Sequence, residues 1–266
     1  MIAEEATPLN LEDIYNIEHC VVFVQDVIVE FDGFRALDIT QFGIKYNELR
    51  VVVGPNGAGK TTLCDVISGK TRVKSGHVFF DKVETTHMPD TEISRRGVGR
   101  KFQTPTVFDS LTVYENMELA LPGRRGLWRN AFGKETAAQR ERIMGLLERV
   151  HLADDAHRAA KYLSHGQRQW LEISMLIVAD PKLLLVDEPA AGLTDEETAL
   201  TAELLLELKG QHTIMVIEHD MEFVRQISSK VTVLHEGTVL CEGSMEKIQS
   251  DQRVKEIYLG REHAKN

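Results

Sequence analysis

One short stretch limits what this chain can fold into more than any other: Gly54-Pro55-Asn56-Gly57-Ala58-Gly59-Lys60-Thr61. It fits the pattern G-x-x-x-x-G-K-[ST]. The apolar run Leu49 to Val53 before it reads as a buried strand, and Lys60 to about Ser68 reads as a helix. Strand, glycine-rich turn and helix in that order make a phosphate cradle. Glycines let the backbone aim its N–H groups inward. The helix start adds partial positive charge. Gly54, Asn56, Gly57, Ala58 and Gly59 line the cradle in this reading. Lys60 reaches the β- and γ-phosphates, and Thr61 ligates Mg²⁺, with Thr62 beside it.

Such a loop needs a second acid on the metal side. Leu183-Leu184-Leu185-Val186 reads as a parallel strand buried on both faces, and Asp187-Glu188 follows at its exposed end. In an open α/β sheet ligands sit at that end. Asp187 is the expected Mg²⁺ residue, and Glu188 the expected base for an attacking water.

Composition sets the surroundings. The chain has 266 residues, 42% hydrophobic and 27% charged, which suits a folded protein with an ample core. With 31 Lys and Arg against 41 Asp and Glu the net charge is −10, which argues against broad nucleic-acid binding. No apolar run approaches the ~18 residues that span a membrane. The acidic start Met1-Ile2-Ala3-Glu4-Glu5 does not read as a targeting peptide. Cys20, Cys64 and Cys241 form no CxxC pair, so a reducing cytoplasm suits them and neither disulfide nor zinc is expected.

Cys20 to Phe31 and Gly76 to Asp81 read as further strands. Thr112-x-x-Glu115 and Ser164-x-x-Gln167 are capping boxes that open helices. The second of these helices is apolar nearly all round (Trp170, Leu171, Ile173, Met175, Ile177) and reads as buried. Glu135 to Val150 carries Ile143, Leu146, Leu147 and Val150 at helical spacing. Pro122 to Lys134 is basic and reads as a loop. Glu196 to Leu208 reads as a helix, Thr213 to Ile217 as a buried strand, and Val231 to Cys241 as two strands joined at Glu236-Gly237.

These features together resemble the ATP-binding subunits of ATP-binding-cassette (ABC) transporters, over about residues 20–260. Leu163-Ser164-His165-Gly166-Gln167 resembles the family signature. Gln103 stands where the family has its Q-loop glutamine, His219 where it has the switch histidine, and Phe31 where an aromatic stacks on adenine. The resemblance implies an α/β P-loop NTPase fold. A RecA-like core (19–103 and 181–266) would hold an inserted helical signature subdomain (104–180), after an N-terminal extension (1–18). It implies ATP and Mg²⁺ as cofactors, with Gln103 shared between metal and water, and His219 on the γ-phosphate. Ser164, His165, Gly166 and Gln167 would meet the ATP held by a second ATP-binding subunit. Three departures stand out. His165 replaces a glycine, and its side chain either touches the γ-phosphate side or points to solvent, the latter being the expectation. Thr194 falls where many members have Asp, and Phe31 replaces the commoner Tyr.

Gly192-Leu193, the run Ile217-Glu218-His219-Asp220-Met221 and the basic stretch 122–134 resemble the branched-chain amino acid uptake type. Within it, Gly99 to Phe108 and Ser164-His165-Gly166-Gln167 with Trp170-Leu171-Glu172 look most like the urea-uptake ATPases. The implied partners are another ATPase, transmembrane permease subunits and, indirectly, a solute-binding protein. The implied place is the cytoplasmic face of the inner membrane. A groove for a permease helix is expected near Gln103 to Val113, and the loop with Trp128 near lipid, a partner or solvent. The alternatives are the ATPase of a lipopolysaccharide or lipid exporter, or an ABC ATPase outside transport. The stretch from Lys60 to Ser164 has no room for the long coiled coil of chromosome-type members.

Overall fold

The computed structural model describes residues 16–101, 107–122 and 136–259. In chain order, β1 (Cys20–Phe31) and β2 (Phe34–Lys45) form a hairpin. There follow β3 (Leu49–Val53), α1 (Lys60–Ile67), β4 (Ser75–Phe80), β5 (Val83–Glu84), α2 (Asp90–Arg95) and β6 (Val98–Lys101). Helices α3 (Val113–Ala120), α4 (Ala137–Arg149) and α5 (His165–Val178) come next. The last third holds β7 (Leu183–Asp187), α6 (Asp195–Leu208), β8 (Thr213–Ile217), α7 (Met221–Ile227), β9 (Lys230–His235), β10 (Thr238–Gly243), α8 (Met245–Ser250) and α9 (Gln252–Leu259).

The main sheet has the strand order β10-β9-β3-β8-β7-β6. All its pairings are parallel except the β10 edge. A smaller antiparallel sheet has the order β2-β1-β4-β5. The alternation of side chains along each parallel strand divides the core into two layers. Val51 of β3, Leu184 and Val186 of β7 and Val216 of β8 pack toward the helices α3 to α6. Their neighbours Val52, Leu185 and Met215 pack toward α1 and the antiparallel sheet. Both faces of the central parallel strands are therefore covered, which suits their largely apolar sequences.

The capping boxes form as read: Thr112 with Glu115, and Ser164 with Gln167. Two more appear, Thr136 with Gln139 and Thr194 with Glu197. The strand β2 has no clean period-two pattern, because neighbours such as Ala36 and Leu37 are both buried. The strand β6 is short and half cationic. Its charges are satisfied inside the fold, where Arg100 meets Asp65 at 2.5 Å and Lys101 Nζ lies 3.9 Å from Glu172. A fully buried Arg50 is likewise paired, with Glu48 and Glu242, each at 2.7 Å. Cys20 and Cys64 are buried and all three thiols are free. Among the described residues no helix is long and apolar enough to cross a membrane.

Candidate nucleotide site

The carboxyl ends of β3, β7 and β8 lie side by side, and the sequence motifs emerge from them. After β3 the chain enters the glycine loop. Gly54 takes φ +155° and Gly59 φ +96°. A Cβ on Gly54 would stand 2.3 Å from the Leu234 carbonyl oxygen, and one on Gly59 2.8 Å from that of Ala36. Backbone on two other strands thus presses against the loop and admits only glycine there. The turn at Gly237 stitches the loop in place. Its N–H donates to the Ala58 carbonyl at 3.1 Å, and its carbonyl accepts from Asp38 N–H at 2.8 Å. Asn56 and Gly57 remain exposed at the mouth and Ala58 is buried beneath. The helix α1 starts without a side-chain cap, which leaves its first turn open to an anion.

Lys60 is 8% exposed. Its Nζ donates to the carbonyls of Gly54 at 2.7 Å and Pro55 at 3.0 Å. The ammonium is thereby held inside the hollow that a phosphate would enter. Thr61 and the half-buried Thr62 follow on the first turn.

Asp187 ends β7, 2% exposed. The Thr61 hydroxyl stands 3.5 Å from its Oδ2, and its Oδ1 is buried with no hydrogen-bond partner among the described residues. Burial, then the charge of Glu188, raises the Asp187 carboxyl above its usual range, while Arg100 and Lys101 oppose the rise. An orphaned carboxylate oxygen beside a hydroxyl is a hard-oxygen donor pair that fits Mg²⁺. Among the described residues no group of three or more His, Cys, Asp or Glu could hold a metal alone. Nucleotide oxygens and water would have to complete such a shell.

Glu188 takes a left-handed backbone, φ +48°, unusual for a residue with a Cβ. Its N–H donates to the Ile217 carbonyl at 3.0 Å, and Glu218 N–H donates to that of Val52 at 3.2 Å. The three strand ends are thus laced together. His219 Nδ1 lies 3.5 Å from Glu188 Oε1 and 3.7 Å from Glu218 Oε2. Phe31 sits 49% exposed at the tip of the β1–β2 hairpin, whose Ala36 and Leu37 back the glycine loop. A bare aromatic face there is available for stacking. Gln103 lies outside the described residues.

The signature residues have their contacts elsewhere in the chain. Ser164 Oγ accepts from Gln167 N–H at 3.2 Å, and Gln167 Nε2 donates to Asp155 at 3.2 Å. Gly166 is closed in, since a Cβ would meet the Glu197 carboxylate at 2.2 Å. His165 does not simply point to solvent, as the sequence led us to expect. Its ring is exposed, yet Nε2 lies 3.4 Å from the Ala191 carbonyl and 3.1 Å from Gln169 Nε2. Thr194, in place of Asp, caps α6.

Three residues of this region escaped the sequence reading. Glu218 is a carboxylate only 1% exposed. Lys101 is buried among acids. Burial lowers its pKa, and Glu172, Asp187, Glu188 and Glu218 work against that. Gln169 is buried against the loop after Pro189. A charged residue directly after the apolar run Ile214 to Ile217 of β8 was the one available signal, and it pointed to Glu218.

Comparison with known proteins gives the family. The ABC transporter family model matches residues 37–191, and that of the branched-chain amino acid ATP-binding cassette transporters matches residues 238–264. The high-affinity branched-chain amino acid transport ATP-binding protein LivG of Salmonella typhimurium is 35% identical over 89% of this chain and 96% of its own length. A solved ATP-binding cassette of an ABC transporter in its ADP conformation has a TM-score of 0.78 at 30% identity, covering 91% of this chain and 99% of that one. A dimeric cassette bound to ADP and phosphate has a TM-score of 0.70 at 26% identity, over 84% of this chain and 98% of that one. With family model, relative and fold in agreement, the chain belongs to the ABC transporter family, as an ATP-hydrolysing, ATP-binding subunit of the branched-chain amino acid type.

Proposed function

We propose that this chain drives solute import, pairing with a second ATP-binding subunit so that two chains enclose two ATP molecules. The observation that carries the reading is the convergence of Lys60, Thr61, Asp187, Glu188 and His219 at the joined ends of β3, β7 and β8. Phe31 stacks on adenine. The loop from Gly54 to Thr62 wraps the phosphates, and Lys60 turns from its two carbonyls toward them. Thr61, Asp187 and Gln103 hold Mg²⁺, which when bound supplies charge neutralisation on the phosphates. Glu188 accepts a proton from the attacking water, Gln103 orients that water, and His219 meets the γ-phosphate. Ser164, His165, Gly166 and Gln167 close the partner's ATP. Positioning and fixed charge perform most of the work in such phosphoryl transfer.

A groove of about 910 Å³ is lined by Arg95, Arg100, Ala120, Leu176 and Lys182 among others, and in this reading it falls between a core (19–103 and 181–266) and a helical subdomain (104–180). This groove supports docking of a permease helix there. The stretch first expected to receive it, Gln103 to Val113, lies partly outside the described residues, as does most of the basic loop with Trp128. Through the permease subunits the chain sits peripherally on the cytoplasmic face of the membrane, and a solute-binding protein acts with it indirectly.

For the solute we propose urea, on the signature variant Ser164-His165-Gly166-Gln167 with Trp170-Leu171-Glu172. The second reading, branched-chain amino acids, is favoured by the likeness to LivG. Gentle purification of the chain from its own membranes, with identification of what accompanies it, tests both. Two permease subunits, another ATPase and a solute-binding protein are expected, and the ligand of that binding protein decides between the solutes. A lipid-export membrane pair, or a wholly soluble set of partners, overturns the import reading.

A further inference from the structure

The loop after Glu188-Pro189 is gripped from two elements that lie far apart in sequence. From the end of β8, the buried Glu218 carboxylate accepts the Ala190 N–H at 3.0 Å through Oε1. Its other oxygen accepts His219 N–H at 3.0 Å and Asp220 N–H at 3.3 Å. From α5, Gln169 Nε2 donates to the Ala191 carbonyl at 2.9 Å. The same nitrogen lies 3.1 Å from His165 Nε2, which itself leans on that carbonyl at 3.4 Å. Gln169 is 6% exposed, and its Oε1 is buried with no partner among the described residues. A buried amide with an unmet oxygen is unfavourable for folding. The bond made by its nitrogen is what the residue contributes in return.

We propose that Glu218 and Gln169 are positioning residues for ATP hydrolysis: together they clamp the Ala190–Ala191 segment and so fix Glu188 relative to the signature helix α5. Two consequences follow from the geometry. Glu218 binds both the loop that carries Glu188 and the backbone of His219, so it sets the spacing between those two side chains. Gln169 sits on the first turns of α5, whose start is the surface offered to the partner's ATP in the two-chain arrangement proposed above, on which this part rests. Closure on one nucleotide thereby bears directly on the catalytic loop serving the other. The glycine at 192, φ +74°, lies against the His165 ring and lets the chain leave the clamp toward α6.

The test uses the purified full chain with three variants: Glu218→Gln, Gln169→Leu and the double. Glu218→Gln keeps the side-chain shape but places an NH2 group against a backbone N–H. Gln169→Leu keeps the bulk and removes the donor. Each single change is expected to lower kcat by about 10-fold while KM for ATP stays within about 2-fold. Because both act through one peptide segment, the double variant is expected to fall by roughly 10- to 20-fold rather than about 100-fold. A second readout needs no nucleotide: hydrogen exchange across Ala190 to Leu193 in the nucleotide-free chain rises about 5-fold in either variant. Unchanged exchange, an unchanged kcat, a loss confined to KM, or effects that multiply would each overturn the clamp. If Glu218→Gln unfolds, Gln169→Leu decides alone by the exchange and kcat criteria. Failure of the ATPase reading itself would look different. The unmodified chain would then turn over ATP no faster than its Glu188→Gln variant.

Discussion

His219 Nδ1 stands 3.5 Å from Glu188 Oε1, where the ends of β8 and β7 meet. That separation is longer than a typical hydrogen bond. The Glu188 backbone is held at φ +48°, a conformation that persists only when the surroundings over-determine it. The bonds of Glu188 N–H to Ile217 and of Ala190 N–H to Glu218 supply that restraint on either side of Pro189. A half-buried base in a strained backbone, beside a histidine, is the arrangement expected where water must be activated against a phosphate.

Lys60→Ala removes the ammonium from the hollow of the glycine loop. In the chain without nucleotide, that ammonium rests on the carbonyls of Gly54 and Pro55. Its exchange of those partners for phosphate oxygens is a charge-assisted gain. The dissociation constant for ATP is expected to rise at least ~10-fold by direct titration. An unchanged titration would remove Lys60 from the phosphate site.

Asp187→Asn separates metal binding from folding. Burial and Glu188 raise the Asp187 carboxyl above its ordinary value. The folded chain therefore holds this proton more tightly than the unfolded chain does. The stability this confers is complete below the ordinary carboxylate pKa and is lost as pH rises through the raised one. At pH 7 the ionised group is a liability, so the amide is expected to raise the Tm of the nucleotide-free chain. The same variant should lose the extra Tm gained on adding Mg²⁺ to ATP. Thermal scans with and without Mg²⁺ check both, and a lowered Tm with the Mg²⁺ gain intact would contradict the assignment.

Gly59→Ala forces a Cβ onto the carbonyl oxygen of Ala36 at 2.8 Å, at a φ of +96°. Neither the angle nor a backbone oxygen can yield cheaply, so a loss of about 1–3 kcal/mol is expected in denaturant unfolding. Gly210→Ala is the control. It has φ +86° with nothing within 4 Å, so only the backbone term remains and a smaller loss follows. Equal losses would mean that the contact with β2 does not shape the loop.

Much of this was legible in the sequence. The strands β3, β7 and β8 are largely apolar because both their faces are covered, and the glycine loop and Asp187-Glu188 are contiguous motifs fixed to their ends. The capping boxes at Thr112 and Ser164 are local patterns and formed as read. What escaped depends on distant partners. The strand β2 buries adjacent residues against β1, the loop and the Gly237 turn, so its alternation is broken. Lys101 looks like a surface charge until Glu172 faces it from α5. Glu218 and Gln169 acquire their role only where the fold brings the Ala190–Ala191 segment between them. No periodicity or motif encodes such a meeting.

The most direct measurement is ATP turnover by the Glu188→Gln chain beside the unmodified one, with ATP affinity titrated on the same preparations. Loss of the general base with the phosphate loop intact should slow hydrolysis at least ~100-fold and leave affinity unchanged. Turnover within a few-fold of the unmodified chain would contradict the assignment of Glu188 as the residue that activates water, and with it the account of this site.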